Sequence, residues 1–435
     1  MDGPTPTTWK GKCAVSDTLE RIVIAGAGMA GLHAAEALRE RGFEGRLTLV
    51  GEEAHRPYSR PPLSKEVLTG VGMDPAMGGP GWLVGHRALS LREDSVLDEL
   101  DLDWRLGERA VGLDPVAREV RVDGPEGTTP LRYDGLIVAT GARAGRLPTD
   151  LAGVHVLRTL EDAETVRSAF DSAGHLVVVG AGFVGAEVTA SARAIGMEVT
   201  LVEAAPTPLT RVVAPVIGDV LTQMHRDNGV DVRLGVAVTG VEGAGRVERV
   251  HLSDGSTVES SLVVAGIGVH LNTEWLRGSG VELSREGAVL CDRYSKTSLP
   301  NVYAVGDLAN WPHPRYGGRI RLEHWTNASE QGAAAAHNLL AGSGKTPFTP
   351  VPYFWSDQYK KKIQLLGQGA PADRVTFVHG SPEDRKFVAF LGRGGMLTGV
   401  LGLRSTPRTM RYRSLLEKPT TWDEALVAAG VSPAV

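Results

Sequence analysis

Cysteine is almost missing from this chain: Cys13 and Cys291 are the two in 435 residues. They stand far apart and form no C-x-x-C, so a local dithiol redox centre is excluded and a cysteine zinc or iron–sulfur site lacks its ligands. Such sparing use fits two free thiols in a reducing cytoplasm. Histidines are scattered, without the clustering of a metal site. Excess positive charge is also missing: the formal net charge is -5 and the pI about 6.2, which disfavours bulk nucleic-acid binding. No apolar stretch approaches the length of a membrane span. Residues 1–18 are polar, carry Pro and Thr, lack the apolar centre of a signal peptide, and read as a flexible extension.

Glycine, in contrast, is abundant, with 54 residues. Two glycine fingerprints organise the chain. Gly26-Ala27-Gly28-Met29-Ala30-Gly31 follows the apolar run 21–25, and Gly180-Ala181-Gly182-Phe183-Val184-Gly185 follows 176–179. Each sits between a predicted strand and a predicted helix (29–41 and 183–195). In this context the first glycine permits the turn, the second lets a pyrophosphate approach, and the third allows close helix–sheet packing. The helix N-terminus supplies free N–H groups to the phosphate. Two such motifs imply two dinucleotides, and a flavin beside a nicotinamide is the arrangement that transfers hydride.

An acid roughly 20 residues past such a turn can hold an adenosine ribose. Glu52 occupies that place after the first motif, with Glu53 beside it. Glu203, ending the predicted strand 198–202, occupies it after the second. A carboxylate there accepts from a 2′-hydroxyl and repels a 2′-phosphate, so NADH is expected over NADPH. The alternative for Glu203 is a strand-capping role. A further repeat supports two related units: 136–141, ending Ala139-Thr140-Gly141, parallels 262–268, ending at Gly268. The length suits several domains. The division is 19–150 with 275–345 for the first nucleotide domain, 151–274 for the second, and 346–435 for a small α+β domain. That last domain carries predicted strands at 353–357, 362–366, 374–378, 386–391 and 397–402, and a helix at 422–429.

These motifs, with three further stretches, resemble the flavin-dependent ferredoxin reductases of oxygenase systems. The stretches are Arg60-Pro61-Pro62-Leu63-Ser64-Lys65, Arg158-Thr159-Leu160-Glu161-Asp162-Ala163 and Val302-Tyr303-Ala304-Val305-Gly306-Asp307. The resemblance implies an α/β flavoprotein with two dinucleotide-binding domains, a glutathione-reductase-like core and a small C-terminal α+β domain. It implies FAD and NAD(H) as cofactors and a [2Fe-2S] ferredoxin as partner, serving a P450 or a Rieske oxygenase. In the family the lysine of the first stretch pairs with the glutamate of the second, which gives a catalytic Lys65–Glu161 pair beside the flavin ring. Arg60 and Pro61 touch the flavin, Asp307 after Gly306 bonds its ribityl chain, and Trp325 packs beside the ring. Ala110 lies at the adenine, and Ala139, Thr140, Gly141 and Arg143 lie near the pyrophosphate.

Glu187, in the first turn of the second glycine helix, either contacts the nicotinamide carboxamide or serves packing. Trp355 screens the ring or fills a core. Lys360, Lys361 and Lys362, or Arg315, Arg319 and Arg321, would steer an acidic ferredoxin. A monomer is expected. Rubredoxin or a quinone as acceptor, and a binding flavoprotein like apoptosis-inducing factor, are the competing readings.

Overall fold

The computed structural model describes residues 19–70 and 89–432. The expected N-terminal extension, with Cys13, lies outside them. The apolar run Arg21–Ala25 becomes the central strand of a five-stranded parallel sheet. Gly135–Val138 and Val302–Ala304 extend the sheet on one side, and Arg46–Gly51 and Asp103–Leu106 on the other. All four inner residues of Gly135–Val138 are buried, as a strand covered on both faces requires. The helix Met29–Glu40 packs against the helix Trp325–Leu340, which returns to this unit after the chain has built the second one. Their contact is backbone to backbone: a Cβ on Gly332 would stand 2.3 Å from the Ala30 carbonyl oxygen.

The second unit repeats the plan. Its parallel sheet runs Asp231–Leu234, Glu198–Glu203, His175–Val179, Leu262–Ala265 and Val154–Val156 in spatial order. The helix Phe183–Ala194 follows the second glycine turn. The two units are stitched by a short antiparallel pair, Ala142–Ala144 with Val269–Leu271. Each unit carries a three-stranded antiparallel meander as well.

The C-terminal residues form a five-stranded antiparallel sheet ordered Tyr353–Gln358, Lys361–Gly367, Met396–Leu403, Lys386–Arg393 and Arg374–Ser381. All five strands coincide with the sequence expectation to within three residues. The helix Trp422–Ala428 begins with a reciprocal Thr421/Glu424 capping box. The short helix Thr406–Arg411 was not expected; its polar, Pro-containing sequence shows no apolar period. Tyr359 and Lys360, both with positive φ (51° and 58°), form the two-residue turn of the first hairpin.

This sheet is welded to the second unit. Ile217, Leu221 and Met224 of the helix Pro215–Asp227 share one core with Phe354, Ile363, Leu365 and Leu401. Fully burying each such side chain contributes about 1.5–3 kcal/mol. At the edge of that core His225 Nδ1 lies 2.7 Å from the Tyr359 hydroxyl, and Arg385 forms an ion pair with Asp227. Cys291 is a buried free thiol whose pKa burial pushes up to about 12.

Burial also holds His33, His225, His313 and His324 neutral, with pKa values lowered from 6.5 to about 4. Between those values the unfolded chain binds more protons than the folded one. Stability is therefore complete above pH 6.5 and falls as the pH drops toward 4. Thermal unfolding followed by circular dichroism should show a Tm that starts to decline below pH 6.5; a Tm constant down to pH 5 would contradict these assignments.

Candidate dinucleotide cavity

A cavity of about 1100 Å³ opens where the two units and the C-terminal sheet meet. Its floor is the first glycine turn. Gly26 has φ +125°, and a Cβ there would stand 2.1 Å from the Ala139 carbonyl oxygen. A Cβ on Gly31 would stand 1.9 Å from the Gly26 oxygen, so only glycine lets the helix settle on the strand end. Gly28 differs: its Cβ would meet no described atom within 4 Å and would project into the space above the helix N-terminus. The second turn has the same geometry. Gly185 would clash with the Gly180 oxygen at 1.9 Å, Gly180 has φ +95°, and Gly182 has its nearest neighbour at 3.9 Å. Two cradles of free N–H groups, each kept open by its middle glycine, fit the pyrophosphates of two dinucleotides.

The cavity gathers most of the expected first-unit residues. Gly26, Gly28 and Ala30 line it at the turn, and Glu52 and Ala110 line the end beyond the sheet. Ala139, Thr140, Gly141 and Arg143 line the crossover. Arg60, Pro61 and Lys65 form one wall, with Gly306, Asp307 and Trp325 on another. From the second unit come Phe183, Val184 and Glu187. Gly31 packs under the turn instead. Gly180, Gly182, Gly185, Glu203 and Gly268 do not line this cavity, and the first four surround the second cradle. The Glu203 carboxylate accepts from Ala181 N at 2.6 Å and from Ala205 N at 2.8 Å, which fixes it beside the glycine turn.

The expected pairing of Lys65 with Glu161 is not what the structure contains. Lys65 Nζ lies 2.7 Å from Glu187 Oε2 and 2.8 Å from the Pro61 carbonyl oxygen. Glu161 instead lies 2.5 Å from His55 Nε2, at the exposed start of the helix Leu160–Phe170, and does not line the cavity. The geometry explains the difference. The tight turn Pro61–Ser64 aims Lys65 at the helix Phe183–Ala194, where Glu187 is the buried acid. Glu161 stands in a first helical turn, where a carboxylate is favoured by the helix field and faces solvent.

Glu187 is only 5% exposed and receives three side-chain donors. Ser64 Oγ and Lys65 Nζ donate to Oε2 at 2.5 and 2.7 Å, and Ser356 Oγ donates to Oε1 at 2.7 Å. One carboxylate thus joins the Pro-Pro loop, the second glycine helix and the C-terminal sheet. Glu187, expected at the nicotinamide or in packing, also meets Ser356, a contact across 169 residues that motif spacing does not show. The available signal was a lone acid among Val184, Ala186 and Val188.

A second polar chain starts from Arg60 and Tyr58. Arg60 binds Glu53 Oε1 at 2.5 Å and the Arg158 carbonyl at 2.6 Å. Tyr58, whose phenol is pushed up by burial and so stays protonated, donates to Glu53 Oε2 at 2.5 Å. Glu53 is thereby committed, and Glu52 is the acid left on the cavity rim. Arg158, for which the sequence suggested no role, donates to Asp307 Oδ2 at 2.7 Å and to the Ala142 carbonyl at 2.9 Å. Gly306, at φ +75°, makes the turn that presents Asp307, and its N–H donates to Gln331 Oε1.

At the mouth Trp325 is 37% exposed and meets Trp355 edge-on, with ring centroids 6.2 Å apart. Trp355 stacks on Tyr353 and lies under Lys362 Nζ, at 5.9 Å in each case. Lys362 also pairs with Asp357 at 2.8 Å, and Lys360 projects from the hairpin turn. In the other basic group Arg315, Arg319 and Arg321 bind the carbonyls of Thr349, Cys291 and Asp307. Arg321 is further balanced by Glu323 at 2.7 Å. Among the described residues no cluster of His, Cys, Asp or Glu could hold a metal ion, and no helix is long and apolar enough to cross a membrane.

Comparison with known proteins agrees with this geometry. Residues 20–332 match the pyridine nucleotide-disulphide oxidoreductase family, and residues 353–433 match the reductase C-terminal domain. Rhodocoxin reductase of Rhodococcus erythropolis is 38% identical over 93% of this chain and 91% of its own. The ferredoxin–NAD(+) reductase component of the p-cumate 2,3-dioxygenase system of Pseudomonas putida is 37% identical, covering 86% of this chain and 88% of its own. The crystal structure of the ferredoxin reductase for the CYP199A2 system of Rhodopseudomonas palustris superposes with a TM-score of 0.84 at 35% identity, covering 92% of this chain and 96% of that one. The two glycine turns, the lack of a C-x-x-C and these likenesses together make the chain a member of the pyridine nucleotide-disulphide oxidoreductase family, in its branch of ferredoxin reductases of oxygenase systems.

Proposed function

We propose that this protein is an NADH-dependent ferredoxin reductase that passes reducing equivalents from NADH to FAD and then single electrons to a [2Fe-2S] ferredoxin serving an oxygenase. The observation that carries this reading is the shared cavity, in which the first-unit residues expected at a flavin face Phe183, Val184 and Glu187 of the second glycine helix. Residues 19–150 and 275–345 hold FAD, 151–274 hold NADH, and 346–435 cover the ring edge. FAD, when bound, supplies the conversion of a two-electron donor into one-electron deliveries.

The chain's own residues bind, orient and shield. Gly28 and Gly182 leave room for the pyrophosphates. Asp307, steadied by Arg158, offers a carboxylate to the ribityl hydroxyls. Lys65 places a cation on the cavity wall, where it favours negative charge on a reduced ring, and Glu187 fixes its position and limits its field. Phe183 and Phe354, with ring centroids 4.3 Å apart, close the nicotinamide side with apolar surface. Trp325 and Trp355 screen the mouth. A relative named for a dioxygenase system and another for a P450-type system support a ferredoxin as acceptor and leave both oxygenase classes as terminal partners. Lys360–Lys362 and the group Arg315, Arg319 and Arg321 are the candidate docking surfaces. We take the protein as a monomer, and its sparing use of cysteine supports a reducing, cytoplasmic setting.

The test is NADH-driven reduction of a purified [2Fe-2S] ferredoxin. Rapid turnover that slows as ionic strength rises is expected, since exposed charges are screened. NADH oxidation that never reaches a ferredoxin, or turnover with a quinone or rubredoxin alone, would overturn the reading.

Glu203→Arg should narrow or reverse the ratio of kcat/KM for NADH over NADPH, because it exchanges a 2′-hydroxyl acceptor for a cation. The same ratio in the variant and the parent would return Glu203 to strand capping.

A further inference from the structure

The C-terminal sheet does more than cover the cavity: one of its hydroxyls reaches the ion pair on the wall. Ser356 is fully buried in the strand Tyr353–Gln358, and its Oγ lies 2.7 Å from Glu187 Oε1. Gln358 Nε2 lies behind it, 3.1 Å from the same Oγ. The direction of this chain is fixed by chemistry. A carboxylate offers only acceptor oxygens, so the Ser356 proton points to Glu187, and Gln358 must present its amide N–H to the serine. The donors are divided unevenly. Ser64 and Lys65 both occupy Oε2, and among the described residues Ser356 is the one side-chain donor to Oε1.

Gln358 is 1% exposed, and its Oε1 has no partner among the described residues. A buried amide with one unpaired end weakens the fold relative to an apolar side chain of the same shape. Packing alone would be served better by methionine at 358. What the amide does provide is a fixed N–H that orients the Ser356 hydroxyl.

We propose that Ser356, oriented by Gln358, is a positioning residue that fixes the Glu187 carboxylate against Lys65, so that the C-terminal sheet sets the electrostatic field that this pair presents to the flavin. The inference rests on the reading of the cavity as an FAD site. Without the serine, Oε1 loses its donor. The carboxylate can then turn, and its negative charge is less offset. A more negative field disfavours the reduced, anionic ring, so the flavin potential falls.

The experiment compares FAD-loaded parent, Ser356→Ala, Ser356→Thr and Gln358→Met proteins. The midpoint potential is measured by chemical reduction against a reference dye, and the rate of flavin reduction by NADH by anaerobic stopped flow. Ser356→Ala should lower the potential and slow reduction by about tenfold, the effect of losing one hydrogen bond to a charged group. Ser356→Thr retains the hydroxyl and should stay near the parent. Gln358→Met should shift both readouts in the same direction by less, and it keeps the test available if Ser356→Ala does not fold. Parent-like potential and rate in both Ser356→Ala and Gln358→Met, whatever their Tm, would overturn the proposal and leave a structural contact. If the parent itself is not reduced by NADH, the functional reading fails, while the chemically measured potentials still decide the role of Ser356.

Discussion

The buried carboxylate of Glu187 is the constraint on which the arrangement of this protein depends. A helix of the second unit carries it, a loop of the first unit brings Ser64 and Lys65 to it, and a strand of the C-terminal sheet brings Ser356. The side chains of Lys65 and Glu187 are 13% and 7% exposed. Such a pair adds little net stability over an apolar contact, but removing one member leaves a buried charge uncompensated, at a cost of about 3–5 kcal/mol. The pair therefore acts chiefly as a registration device. It is satisfied only when three separate chain segments stand in one relative position, and that position is the one that closes the cavity.

The same logic of enforced proximity operates at the glycine turns. Gly31 and Gly185 are pinned by carbonyl oxygens that leave no room for a Cβ, so each helix must approach its strand at one distance. Gly28 and Gly182 have no such neighbour. Tight packing beneath and open space above place each helix N-terminus where a phosphate can meet its N–H groups. The core shared by the helix Pro215–Asp227 and the C-terminal sheet then holds the second unit and the sheet as one piece. The cavity is thus bounded by rigid elements, and its polar groups are held by partners on more than one of them.

Much of this was legible in the sequence because it depends on local rules. The two parallel sheets follow from apolar runs ending in glycine turns, and the C-terminal strands from alternating short runs between turns. Arg60, Pro61, Lys65, Gly306 and Asp307, all from the motif stretches, line one cavity as those stretches suggest. What could not be read depends on side chains that meet across long separations. Lys65 was paired with Glu161 by resemblance, whereas the direction of the Pro61–Ser64 turn sends it to Glu187. Arg158 opens the second motif stretch without a role attached to it there, and its contact with Asp307 appears only once the two units are folded together. Ser356 and Gln358 alternate on one buried face of a strand beside large aromatics, where a sequence reader sees only the aromatics.

The central claim is that this cavity brings a nicotinamide and a flavin within reaction distance. An anaerobic titration of the purified FAD-loaded protein with NADH, followed by flavin absorbance, tests it most directly. The account predicts bleaching that is complete near one equivalent. A flavin that stays oxidised in excess NADH would contradict it, and would leave a structure that binds two nucleotides without joining them.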